Sequence, residues 1–311
     1  MDYIKLGRTE LETSVMGLGC GGHSRLGQSY GNTKEQSIRV IKHALELGIN
    51  FIDTAEAYHT EAIVGDALAN EDRSNVILST KKSIRADEQL ITAEQIIAGL
   101  ENSLRELKTE YVDFYHLHGV SPMDYAYVVE EGVPALQKLK EQGKLRYLGI
   151  TEGFASDTVH QMLCQAVEDD CWDVMMVGFN LLNQSARDYV LPTAIRKDIG
   201  ILVMFAVRRA LRSDQNLSEM MDYLIDQKLI DQRYAHPHPL EFLLAGGAEN
   251  LQDAAYRFCR YEPGVHVTLC GTGNIKHLED NVASILRPPL PETVCERLRQ
   301  MFRAVNSVSG N

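Results

Sequence analysis

Short apolar runs alternate with amphipathic stretches along nearly the whole chain. Val15–Cys20, Phe51-Ile52, Val76–Ser79, Val112–His118, Arg146–Thr151, Val174–Val177, Ile201–Phe205 and Val265–Cys270 each read as a strand. Such runs suit parallel strands covered on both faces. Between them, apolar residues recur at helical spacing. Ile38, Ile41, Ala44 and Leu45 follow Thr33; Ile97, Leu100, Leu104 and Leu107 follow Thr92; Leu136 and Leu139 follow Pro134; Val159, Leu163, Ala166 and Val167 follow Ser156. Thr33 with Gln36, and Thr92 with Gln95, have the spacing of capping boxes, and Ser156 is the expected cap of its helix. Gly48 and Gly143 stand where helices should stop. Further helices are expected over residues 60–69, 186–198, 217–229 and 275–286, with a last one opening near Pro291. Residues 3–15 predict a small hairpin turning at Gly7-Arg8-Thr9.

Eight strand–helix units in 311 residues predict an α/β fold of the (β/α)8 TIM-barrel type. A short N-terminal β-hairpin precedes it and a C-terminal helix follows, in one domain spanning 1–311. A doubly wound open sheet is the alternative. The connection from about residue 206 to 250 is long and holds Ala235-His236-Pro237-His238-Pro239. On a barrel, long loops after strands commonly set substrate choice.

Composition changes this picture little. The chain is 44% hydrophobic, ample for a core, and its net charge is −12. That charge argues against nucleic acid or an anionic membrane surface as partner, but leaves room for a local cluster of donors around a phosphate. There is no apolar run of about 18 residues to span a membrane, and Met1–Lys5 lacks a signal-type apolar region. Six scattered cysteines without a CxxC pair predict reduced thiols and a cytoplasmic protein. Oligomeric state has no signature.

Candidate chemistry gathers at strand ends, which converge on one mouth of a barrel. Asp53, Lys81 and His118 each lie at such an end, and Tyr58 lies one turn beyond Asp53. Singly, each has an ordinary structural explanation. Together they form a proton-transfer device. A phenol is a weak acid near neutral pH, an adjacent ammonium stabilises its phenolate, a carboxylate holds the ammonium, and an imidazole can orient a substrate oxygen. No Gly-x-Ser-x-Gly or Cys–His pairing offers a nucleophile.

At these residues the chain resembles the aldo-keto reductase family. The resemblance rests on Gly48-Ile49-Asn50-Phe51-Ile52-Asp53-Thr54-Ala55-Glu56-Ala57-Tyr58, on Ser79-Thr80-Lys81, on Asp113, Tyr115 and His118, and on the segment Gly143 to Gly149. It extends from Lys5-Leu6-Gly7-Arg8-Thr9 to Asn281. It implies a (β/α)8 barrel using NADP(H), with NAD(H) the close alternative, to interconvert an aldehyde, ketone or sugar and its alcohol. It implies Tyr58 as general acid, Lys81 and Asp53 tuning it, His118 orienting the carbonyl, and no metal. For the cofactor it implies Gly271, Thr272, His277 and Asn281 at a helix start, with Arg208 and Arg209 near the pyrophosphate and Gly21 and Gly22 at close approach.

The pattern departs from the family in three places. Thr151-Glu152 replaces the Ser-Asn that holds the nicotinamide carboxamide, although a glutamate can still accept from its NH2. Met176 replaces a glutamine. Met204-Phe205-Ala206-Val207 replaces an aromatic followed by Ser-Pro, with Phe205 the candidate for stacking on the ring. Two other readings stand beside the reductase. One is a cofactor-binding regulatory module with little turnover. The other is a metal-dependent barrel hydrolase using His116/His118 or His236/His238, since residues two apart on a strand share a face. Tyr30, His59 and the 206–250 loop are expected to wall the substrate pocket. Glu152 and Arg208 at the mouth favour a sugar or polyol over a lipid.

Overall fold

A computed structural model describes residues 1–235 and 239–311. Eight parallel strands close a barrel in sequence order: β1 (Met16–Gly19), β2 (Phe51–Asp53), β3 (Ile77–Ser83), β4 (Val112–Val120), β5 (Leu145–Glu152), β6 (Val174–Gly178), β7 (Gly200–Met204) and β8 (Val267–Cys270). Closure excludes the doubly wound alternative. The helices are α1 (Lys34–Glu46), α2 (Glu61–Leu68), α3 (Ala93–Leu107), α4 (Val133–Glu141), α5 (Gln161–Ala166), α6 (Val190–Lys197), α7 (Asp214–Asp226), α8 (Leu251–Arg260), α9 (Ile275–Ile285) and α10 (Glu292–Met301), with shorter helical turns between them.

Both capping boxes form. Thr33 N donates to Gln36 Oε1 at 2.7 Å and Thr92 N to Gln95 Oε1 at 2.8 Å, with the reciprocal bonds to the threonine hydroxyls at 3.3 Å. Each box satisfies two otherwise free N–H groups of α1 and α3. Ser156, by contrast, is not a cap: its hydroxyl donates to Gly153 O. Asp157 takes that role, accepting from Gln161 N and Met162 N at 2.9 Å, because two carboxylate oxygens can satisfy two consecutive donors. The helix therefore starts later and leaves Val159 exposed. Elements with no assignment from the sequence include the two-stranded ribbon Arg85–Ala86 with Gln89–Leu90, and α8, which Asn250 caps through Asp253 N.

The hairpin of Tyr3–Lys5 and Glu12–Ser14 closes the N-terminal end of the barrel. Leu6, in the turn between its strands, is fully buried and joins Phe51, Ile77, Phe114, Val174, Met176, Leu202 and Val267 in an apolar layer inside the barrel. Burying each such large side chain contributes roughly 1.5–3 kcal/mol. Strand side chains alternate with a period of two. The positions two and four residues beyond this layer therefore also point inward: Asp53 after Phe51, Lys81 after Ile77, and His116 and His118 after Phe114. The apolar layer is the floor on which a polar layer sits at the C-terminal mouth.

Among the described residues, no helix is long and apolar enough to cross a membrane. All six cysteines are free thiols.

Candidate active site

Lys81 belongs to β3 itself, which continues to Ser83, so its position is set by register. Its Nζ donates to Asp53 Oδ2 at 2.6 Å and to Thr54 O at 2.7 Å, and Ser79 Oγ donates to Asp53 Oδ1 at 2.8 Å. The ammonium lies 5.0 Å from the centroid of the Tyr58 ring. Tyr58 OH is 3.3 Å from His118 Nε2, and the two rings meet edge to face. The structure thus brings the four predicted residues into one cluster.

Burial and charge set the protonation states. Burial alone would pull the Lys81 ammonium down, but Asp53 and Tyr58 outweigh it and Lys81 stays above its ordinary value. Burial pushes the Tyr58 phenol up, and Lys81 only partly opposes this. The expected net lowering of Tyr58 is therefore reversed, because removal from water penalises phenolate more than one ammonium relieves it. Burial, reinforced by Lys81, holds His118 down at about 3, so its imidazole is neutral at physiological pH.

A cleft of about 1040 Å3 opens above the cluster. It is lined by Asp53, Tyr58, His118, Gly21, Gly22, Thr151, Glu152, Met176, Phe205, Arg208, Gly271, Thr272, His277 and Asn281; of the predicted catalytic and cofactor-binding residues, Lys81 and Arg209 are absent from its wall. Lys81 lies beneath Tyr58. Arg209 faces solvent and reaches toward Glu219 at 3.9 Å; the helical turn Arg209–Leu211 carries it away from the mouth. Arg212 lines the cleft instead. Sequence spacing did not reveal this, because the turn rephases the side chains. Tyr30, Arg208 and Asn250 do line the cleft, whereas His59 does not.

Hydrogen-bond and packing partners alter three further expectations, those for Glu152, Thr151 and Phe205. The Glu152 carboxylate is fully buried. Both oxygens lie 2.9 Å from His160 Nδ1, and Oε1 also accepts from Gly178 N at 2.7 Å. With both oxygens engaged and no side-chain surface exposed, it does not present an open acceptor to a carboxamide. Thr151 Oγ1 likewise accepts from Gly119 N at 2.8 Å. Phe205 lies past the end of β7 with φ 70°, and the Arg208 guanidinium covers its ring at 3.5 Å. That face is not free for another ring. Gly21 has a steric role: a Cβ there would lie 2.3 Å from Tyr58 Cε2. Met176 contributes to the cleft floor from the apolar layer.

The acids of the cleft are each engaged, Asp53 by Lys81, Glu152 by His160 and Asp280 by Lys276 at 2.7 Å. Arg208 and Arg212 have no carboxylate within 4.0 Å among the described residues, and Arg208 Nε is buried without a partner. The cleft is locally cationic in an acidic protein. The α9 N-terminus, capped by Asn274 through His277 N, borders it. His116 and His118 share an inward face. Among the described residues no three His, Cys, Asp or Glu side chains group as a metal set. His236 and His238 lie outside the described residues.

The chain is similar over most of its length to known proteins. The chain is 27% identical to the uncharacterized oxidoreductase YqkF of Bacillus subtilis over 289 residues, covering 89% of each. It is also 27% identical to L-galactose dehydrogenase of Arabidopsis thaliana over 296 residues, covering 90% of this chain and 86% of the relative. An aldo-keto reductase from Klebsiella pneumoniae, solved in complex with NADPH, superposes with a TM-score of 0.70 at 20% identity, covering 98% and 95% of the two chains. The aldo/keto reductase family model matches residues 17–302. A match running from the first barrel strand through the C-terminal helix leads to one conclusion: this chain belongs to the aldo/keto reductase family.

Proposed function

We propose that the protein is a cytoplasmic NAD(P)H-dependent oxidoreductase, carried on one domain over 1–311, that interconverts a small carbonyl compound and its alcohol. The observation that carries this reading is the Tyr58 hydroxyl 3.3 Å from a neutral His118, with its ring beside the Lys81–Asp53 pair. When bound, the reduced nicotinamide supplies the hydride. Tyr58 donates its phenolic proton to the substrate's carbonyl oxygen. Lys81 stabilises the phenolate left behind, Asp53 fixes Lys81, and the His118 imidazole orients the oxygen that receives the proton.

The cleft fits a phosphate-bearing dinucleotide. Its volume is sufficient, its acids are engaged, and Arg208 with the start of α9 offers charge and dipole to an anion. Gly22, Arg208, Gly271, Thr272, His277 and Asn281 are the residues assigned to hold it. NADPH in the Klebsiella relative's complex favours NADP(H), with NAD(H) as the alternative. A sugar substrate has support from the L-galactose dehydrogenase likeness and from Arg208 at the mouth. Glu152 no longer argues for it, being turned inward.

The test is a spectrophotometric screen of aldehydes, ketones and sugars with both cofactors in both directions, run beside Tyr58→Phe. Turnover in the parent is expected to fall about 10²- to 10⁴-fold in the variant, with cofactor affinity retained. Equal turnover would overturn the role given to Tyr58. A second reading, a cofactor-binding regulatory module, draws on the inward commitment of Thr151 and Glu152. Tight cofactor binding without turnover across the screen would favour it.

A further inference from the structure

The loop from Gly21 to Asn32 crosses the mouth between β1 and α1. Within it Arg25 and Leu26 take left-handed φ values of 46° and 59°. Residues with side chains rarely adopt that region, and such outliers collect where surrounding structure enforces them. Here the enforcing contacts are on both sides. Ser24 Oγ accepts from Gly27 N at 3.0 Å, and Ser37 Oγ donates to Leu26 O at 2.9 Å. Asn32 Nδ2 donates to Leu26 O at 3.1 Å and to Gly273 O at 2.8 Å. Gly27 and Gly273 pack so closely that a Cβ on Gly273 would lie 2.1 Å from Gly27 Cα. One end of the loop is thus pinned to the connection between β8 and α9.

From the middle of the loop, beside that brace, Arg25 grips Tyr58. Arg25 Nε and Nη2 both donate to the Tyr58 carbonyl oxygen, at 2.9 and 2.7 Å. Among the described residues, Arg25 has no carboxylate within 4.0 Å and no other side-chain hydrogen bond. A rigid guanidinium fork on one main-chain oxygen is a geometric tether. Tyr58 has need of one. It ends the single turn Glu56–Tyr58, which has no side-chain cap and runs into His59 at φ 56°.

We infer that Arg25 is a positioning residue for Tyr58. It fixes the Tyr58 main chain, and through it the approach of the phenol to His118 and Lys81, to a loop braced against Gly273. The inference rests on Tyr58 being the proton donor of the proposed reaction.

The test uses Arg25→Ala and Arg25→Lys in full-length protein labelled with 3-fluorotyrosine. The Tyr58 19F resonance is the one missing from Tyr58→Phe. In Arg25→Ala, kcat is expected to fall by up to about 100-fold, as for a misplacement on the order of 1 Å. The cofactor KM should stay within about twofold, because ground-state contacts are retained. The Tyr58 resonance should shift or broaden. Added guanidinium should restore part of the rate and return the resonance toward its parent position, and Arg25→Lys should fall between. An unchanged resonance and rate in Arg25→Ala would overturn the inference. So would a loss that neither guanidinium nor lysine relieves, which marks general collapse of the loop. If the parent protein turns over no carbonyl compound, the proposed function fails, while the resonance still decides whether Arg25 positions Tyr58.

Discussion

Lys81 Nζ lies 2.6 Å from Asp53 Oδ2, and the two side chains are 0% and 4% exposed. In the barrel interior each group favours the charged form of the other. Burial raises the Asp53 carboxyl against the pull of Lys81, while Asp53 and Tyr58 keep the Lys81 ammonium charged despite burial.

Breaking that pair should therefore cost stability as well as turnover. Lys81→Met leaves Asp53 with only the Ser79 hydroxyl at 2.8 Å. Truncating one partner of a buried pair costs about 3–5 kcal/mol. Urea unfolding should show that loss, and the double variant Lys81→Met with Asp53→Asn should recover part of it. A single variant as stable as the parent would show that the pair does not hold the mouth together.

Gly21→Ala should impair turnover more than folding. The added methyl would lie 2.3 Å from Tyr58 Cε2 and must displace the ring. Gly21 does not have the positive φ that would strain alanine. A kcat lower by at least about tenfold is expected, with the unfolding midpoint nearly unchanged, since the conflict falls on one movable ring. Parent-like kcat would mean that Tyr58 tolerates the shift.

The direction of the Tyr58 shift gives opposite pH dependences for the two reaction directions. Burial holds the phenol above its ordinary value despite Lys81. With Tyr58 as the proposed proton donor, reduction uses the protonated form, so its rate should be level through neutral pH and fall only in strong alkali. Oxidation needs phenolate, so its rate should climb across the same alkaline range. Initial rates in both directions between neutral and alkaline pH check this. Reduction that declines below about pH 9 would contradict a raised Tyr58.

Acid should weaken the fold through the imidazoles. His118 is held down at about 3 by burial and then by Lys81, and His116 is shifted the same way by the same causes. Unfolded imidazoles bind protons from about pH 6.5 downward while the folded ones stay neutral. Their stabilising contribution is complete above about pH 6.5 and declines as pH falls toward 3. Urea midpoints measured over this range should decrease with acidification, and His118→Gln should make the decrease shallower. An identical slope in the variant would remove His118 from the linkage.

Much of the fold is legible because its signals are short-range. The capping boxes at Thr33 and Thr92 pair residues three apart, and both form. Strand parity links Phe51 to Asp53, Ile77 to Lys81 and Phe114 to His118, so a run of apolar residues ending in a polar one already implies a polar layer above an apolar floor. Ser156 misled because a serine before a helix is a generic cap, and Asp157 beside it competes with two oxygens. The α8 helix does carry such a signal, Asn250 three residues before Asp253, but it lies at the end of the long 206–250 connection and has no assignment from the sequence.

What the chain alone determined is which groups face the barrel interior near its C-terminal end: Asp53, Lys81 and His118 by strand periodicity, with Tyr58 one short turn beyond Asp53. Tertiary structure decided what each group can do on arrival. Glu152 turns inward because His160 and Gly178 take its oxygens, Arg208 covers the Phe205 ring, Arg209 turns toward Glu219, and Arg25 reaches Tyr58 across 33 residues of sequence. The division has a physical cause. Period and capping depend on neighbours along the chain, whereas hydrogen-bond partners, burial and protonation depend on residues that only packing brings within a few ångströms.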